Sequence, residues 1–238
     1  MQDCFPHWLR LAYRNGKLYQ PYDANMPMFI PRRPPLHYRD DPPLTEHGIL
    51  TAEITGKGLL IAGLVPSVIY SSPELRCVQT AVSLVNALNT NNTLIRVEPG
   101  LAEWRQFFPE NIADYWLTIQ QVENDNSRRE HFVMLKASGY RFLDFSTNNP
   151  NSDLKCSVVI CFRTILVVSD SHVIEIVKNK KWSTAEELCK ITRNGKRCNI
   201  HVIEIDEDRQ IKTLKNAVLP FTKTLKDSIQ QKKNASEE

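Results

Sequence analysis

Two hydrophobic rhythms alternate along this chain. From Leu44, apolar residues recur at Ile49, Leu50, Ile54 and Leu59, close to helical spacing, behind the cap candidate Thr45. Gly56 and Gly58 are expected to weaken the middle of that helix. A short apolar strand follows at 67–71, then a helix starting near Pro73. Ser72 is the cap candidate, Pro73 suits the first helical position, and Glu74 suits the positive end of the dipole. Val78, Ala81, Val82 and Val85 form the predicted buried face. Leu94 to Val97 reads as a second strand, closed by Pro99-Gly100. Ile165 to Val168 is the clearest buried strand, with a helix beginning near His172. Ser183 with Glu186 makes a capping box for a further helix that stops at Gly195. Residues 200–214 read as a hairpin. Segments 112–122 and 131–145 have helical character, and 146–153 reads as a loop. Helices alternating with single strands predict an α/β layered sheet.

The pattern divides the chain into three parts. Residues 1–43 are rich in proline and aromatics, which argues against regular helix. They are expected to form a long loop region, and composition leaves both an ordered and a disordered reading open. Residues 44–216 form the α/β domain. Residues 217–238 form a polar tail, a loose helix or disordered.

Composition changes this picture little. The 238 residues suffice for a sizeable core, and 42% apolar with 24% charged residues is ordinary for a globular chain. A formal charge of +3 is too small to argue for nucleic acid or a membrane surface, and neither is expected as a partner. Seven Lys or Arg crowd into 178–198 beside Glu186 and Glu187. A solvated face is favoured there over a basic docking patch. Six cysteines, at 4, 77, 156, 161, 189 and 198, show no CxxC spacing and no zinc pattern. No apolar signal core follows Met1 and no run approaches bilayer length. Reduced thiols in a cytoplasmic or nuclear protein are expected.

Four residues carry candidate chemistry. Arg76 lies about one turn into the helix after the 67–71 strand, where free N–H groups and the helix dipole favour phosphate. The bland alternative, pairing with Glu74 or with water, is the better bet on pattern alone. Glu103, beside Trp104, could be an acid with a raised pKa; unaided, it reads as a loop glutamate. Asp170 and His172 end the strongest strand, where open α/β sheets bind ligands. Asp170 is a phosphoryl-acceptor candidate, but a helix cap is favoured for it. His172 is more often a solvated or core-edge histidine than a catalyst.

Taken together, "DPPLTEHG" at 41–48, "VIYSSPELRCVQTA" at 68–81, "IRVEPGLAEW" at 95–104 and "ILVVSDSHVIE" at 165–175 resemble the histidine phosphatase (phosphoglycerate-mutase-like) superfamily. More narrowly, they resemble the C-terminal phosphatase domain of the TULA/Sts proteins. The resemblance implies a three-layer α/β/α sheet and a two-step reaction. A histidine in an Arg-His-Gly motif takes the phosphoryl group; a second histidine and arginines surround it; a carboxyl group protonates the leaving oxygen. It also implies that Arg76 is a pocket arginine and Glu103 the acid. No Arg-His-Gly occurs in these residues, and Asp170 stands at the second histidine's position. Sliding the alignment by two would bring His172 into the pocket instead.

Two expectations follow. The sheet lacks the family's first central strand, so strands 67–71 and 165–169 either have unpaired edges or close against each other. A rearranged sheet, a strand borrowed from residues 8–20 or from a partner, or a shortened form of a longer product are the outcomes considered. Functionally, the resemblance implies a catalytically inactive pseudophosphatase acting through an unidentified protein partner, with no cofactor or metal and a homo-oligomer left open. The alternatives are a residual or non-standard phosphomonoester or phosphotyrosine phosphatase, or a truncated form of an active one.

Overall fold

Thr45 starts the first long helix as its sequence predicts, its Oγ1 accepting the Gly48 N–H at 3.0 Å. The computed structural model describes residues 1, 3–13, 18–89, 93–102, 116, 164–178, 187, 198–206 and 208–214. Helix α1 is Trp8–Ala12, α2 Glu46–Ile61, α3 Leu75–Leu88 and α4 Ser171–Lys178. The strands are β1 Val68–Ser71, β2 Leu94–Val97, β3 Ile165–Val168, β4 Val202–Ile205 and β5 Ile211–Leu214. Short 3-10 turns occupy Pro35–Tyr38 and Pro99–Leu101. The predicted helices at 112–122, 131–145 and 182–195, the loop at 146–153 and the tail at 217–238 lie outside the described residues, apart from Trp116 and Glu187.

Helix α3 is amphipathic and buries the expected Val78, Ala81, Val82 and Val85, together with Leu84 and Leu88. It ends where Asn89 turns left-handed at φ 50°, a conformation asparagine tolerates. Ile69 of β1 and Ile95 of β2 lie in register and meet this face, and Leu59 of α2 completes the cluster. Each of these large side chains contributes about 1.5–3 kcal/mol by leaving water.

Helix α2 departs from its predicted face. It buries Ala52, Thr55, Gly56, Gly58 and Leu59, while Leu50 and Ile54 are exposed. A Cβ on Gly56 would lie 2.8 Å from the Ala87 Cβ and 2.9 Å from the Leu84 carbonyl oxygen. This glycine therefore lets α2 and α3 approach closely, rather than merely weakening its helix.

The main sheet is parallel, in the order β2-β1-β3. Strands β1 and β3 pair directly, Val68 opposite Ile165 and Ser71 opposite Val168. The two strands thus close against each other, one of the two arrangements expected. Bonds from Ser67 N to the Thr164 oxygen and from Ser72 N to the Val168 oxygen, both 2.9 Å, extend the ladder. Among the described residues of 8–20 no strand is borrowed: Trp8–Ala12 is helical, and none of the others is a strand. Strands β4 and β5 form the predicted antiparallel hairpin as a separate sheet.

The described part of the proline-rich N-terminal region is ordered. Trp8, Ala12, Met26 and Tyr38 cluster with Leu75, the first residue of α3. Trp8 meets Tyr38 edge to face at 5.8 Å between ring centroids. The Tyr38 hydroxyl donates to the Pro31 carbonyl, and the Tyr19 hydroxyl to that of Pro27 at 2.7 Å. Prolines cannot donate backbone bonds, so aromatic burial and side-chain donors hold this segment in place.

Candidate functional site

Register decides where the site lies. Because Ser71 pairs with Val168, the chain leaves β1 and β3 side by side at the C-terminal end of the sheet. From β1 it turns through Ser72, Pro73 and Glu74 into α3; from β3 it passes Ser169 and Asp170 into α4.

The turn after β1 differs from its predicted form. Helix α3 begins at Leu75, with Glu74 in an extended conformation before it. The Ser72 hydroxyl does not cap the helix but donates to the carboxylate of Glu74, which is buried. The cap arrives from 34 residues earlier: Asp41 Oδ1 accepts the Leu75 N–H at 2.7 Å. Its other oxygen accepts from Arg33 Nη1 at 2.8 Å, and this ion pair is sealed, with 2% and 0% of its side chains exposed. The Arg33 guanidinium also stacks over the Tyr38 ring, 4.1 Å from its centroid. Burial pushes the Asp41 carboxyl above its usual range, opposed by Arg33 and the Leu75 N–H.

Arg76, second in α3, turns to Asp170. Its Nε donates to Oδ1 at 2.9 Å and its Nη2 to Oδ2 at 2.8 Å, a two-pronged pair. The partners retain 22% and 17% exposure. The partner that the structure gives Arg76 is thus Asp170, which the sequence pattern did not name.

His172, second in α4, is half-buried. Burial lowers its pKa from the ordinary 6.5, Asp170 opposes that shift, and Arg76 reinforces it. Glu103 lies outside the described residues. The turn leading to it is tied to this end of the sheet, since the Ser169 hydroxyl donates to the Leu101 carbonyl at 2.8 Å.

Two neighbours escaped the sequence reading of the site. Cys77 is buried, and burial first, then Asp170, pushes its thiol well up. Its sulfur and the carboxylate oxygens of Glu74 and Asp170 lie within 4.8 Å of one another. Arg76 takes both Asp170 oxygens and Ser72 donates to Glu74, so protein donors already serve the two acids of this cluster. Asp41 gave a partial signal as the first residue of the quoted "DPPLTEHG", but nothing local names Leu75 as its partner.

A guanidinium fork after a parallel strand suits two oxygens of a phosphate, and here two carboxylate oxygens fill it. Residues 32–131, which include Arg76, match the histidine phosphatase superfamily, branch 1. Over these residues, which are less than half of the chain, it is similar to that superfamily. Over 123 residues it is 37% identical to ubiquitin-associated and SH3 domain-containing protein A of Mus musculus, covering 50% of this chain and 20% of that one. Over 121 residues it is 37% identical to the ecdysteroid-phosphate phosphatase of Drosophila melanogaster, covering 50% and 16%. The chain therefore spans about a fifth of the length of these curated relatives or less. The crystal structure of the Bombyx mori ecdysone phosphate phosphatase in complex with tungstate shares the fold. Its TM-score is 0.59 at 20% identity, covering 91% of this chain and 88% of that one. The histidine phosphatase fold thus agrees with the α/β class expected from the sequence.

Proposed function

We propose that this histidine-phosphatase-like domain does not turn over phosphate esters and works by binding a protein partner. The observation that carries the reading is the Arg76–Asp170 pair. An incoming phosphate at Arg76 would meet the Asp170 carboxylate. At about 4 Å and an effective dielectric near 20, that repulsion is roughly 4 kcal/mol per charge pair. The unbridged thiols of Cys4, Cys77 and Cys198 support placing the protein in the cytoplasm or nucleus. Incubating the full chain with an aryl phosphate tests the proposal. No turnover above buffer is expected, whereas robust turnover abolished by Arg76→Ala overturns it.

A second reading retains phosphatase activity with His172 as the phosphoryl acceptor. Its lowered pKa favours the neutral imidazole, the nucleophilic form, within electrostatic reach of Arg76. The named activity of the insect relatives belongs to the same reaction class. Alkaline-quench trapping, which preserves the acid-labile N–P bond of a phosphohistidine, separates the two: a phosphoryl-protein lost in His172→Gln supports the enzyme, and no trapped label supports the inactive domain.

A further inference from the structure

We infer that Asp170 is an internal anion closing Arg76, an autoinhibitory contact, and that removing this one negative charge opens an oxyanion site at the guanidinium. The inference rests on the place given to Asp170 in the proposed function and extends it to how the site is controlled.

Among the described residues, two arginine–aspartate pairs lie around the start of α3, and they differ in what could displace them. Arg33 and Asp41 are sealed at 2% and 0% exposure. Asp41 also takes the Leu75 N–H, so that helix-end donor is already committed. Arg76 and Asp170 are reachable at 22% and 17% exposure. Asp170 lies between the end of β3 and the start of α4, and its backbone is anchored independently of its carboxylate. Its carbonyl accepts the Val173 N–H at 3.2 Å, and the adjacent Ser169 is bonded to Leu101. The carboxylate can therefore be neutralised without removing the backbone contacts that hold the turn.

The ligand class follows from the donors. Nε and Nη2 of Arg76 point at two oxygens of a planar carboxylate, the same fork that grips two oxygens of a tetrahedral phosphate. The carboxylate of Glu74, within 4.8 Å of that of Asp170, opposes an anion and keeps the opened site weak. Opening therefore shows as a gain over the wild type rather than as tight binding.

The test is titration of the full chain with inorganic phosphate, read by calorimetry, for wild type, Asp170→Asn and Asp170→Asn with Arg76→Gln. Asp170→Ser serves as a second neutral variant that keeps a cap-forming side chain, and circular dichroism verifies folding of each. The Asp170→Asn variant is expected to bind phosphate at least about tenfold more tightly than wild type, with the gain lost when Arg76→Gln is added. Two folded neutral variants with no gain overturn the inference, as does a gain that survives Arg76→Gln. Failure of the proposed function would be recognised separately, as aryl phosphate turnover by the wild type.

Discussion

Asp41 caps Leu75 across 34 residues of chain, its carboxylate 2.7 Å from the first N–H of the helix that carries Arg76. The proline-rich segment is thereby a structural strap for the site. Arg33 makes this possible by pairing with the other oxygen of the same buried group.

Breaking that strap should be costly. Arg33→Met leaves Asp41 buried without its cation, and a loss of about 3–5 kcal/mol is expected in urea unfolding. The pH dependence supplies a second readout. Asp41 has its folded-state pKa raised by burial, so between its unfolded and folded values the folded chain binds more protons and stability falls as pH rises. Removing Arg33 takes away an opposing influence and widens the window. The variant should recover part of its loss on acidification, and a pH-independent loss would contradict this account.

Gly56→Ala should destabilise despite the better helix propensity of alanine. Propensity favours the change by about 1 kcal/mol, but the new methyl meets the Ala87 Cβ at 2.8 Å and the Leu84 carbonyl oxygen at 2.9 Å. Separating α2 from α3 costs about 1–3 kcal/mol, so a net loss of roughly 1 kcal/mol is expected in thermal unfolding. An unchanged or raised melting temperature would show that the helices part freely.

A double-mutant cycle of Arg76→Gln and Asp170→Asn measures the pair itself. It is partly exposed but two-pronged, so a coupling of about 1–2 kcal/mol is expected, above a typical surface pair. The coupling should shrink with added salt. Zero coupling at low salt would mean that the pair does not form in solution.

His172 should make stability pH-dependent on the acid side. Its folded pKa lies below the ordinary 6.5, so between the two values the unfolded chain binds more protons and stability rises with pH. The contribution is complete above the unfolded value and is lost as pH falls through the window. Unfolding midpoints of His172→Gln should show a shallower slope there than wild type. An identical slope would show that burial does not act on this ring.

The elements were legible where the pattern was local. Strands 94–97 and 165–168 stand where their apolar runs place them, and the Thr45 cap is made, but 165–168 is not the buried strand expected, since Ile165 and Val167 are exposed. The face of α2 was not legible. Its largest apolar residues suggested a stripe through Leu50 and Ile54, yet the helix buries Ala52, Thr55 and Gly56, and at Gly56 it meets Leu84 and Ala87 of α3, because close helix approach favours small side chains over large ones. The start of α3 moved from near Pro73 to Leu75 because the distant Asp41 supplies its cap while Ser72 turns to Glu74. Of the candidate site, Arg76, Asp170 and His172 come to one end of the sheet, and Glu103 lies outside the described residues.

By itself, the sequence determined that a strand feeds a helix carrying Arg76 in its first turn, since caps, turns and hydrophobic period act between near neighbours. Which charge answers that arginine was decided only by tertiary structure. Pairing of β1 with β3 sets Ser71 beside Val168, and this register brings Asp170 to Arg76 across 94 residues. An ion pair depends on distance in space, and that distance is fixed by how the strands align rather than by the residues on either side of each charge.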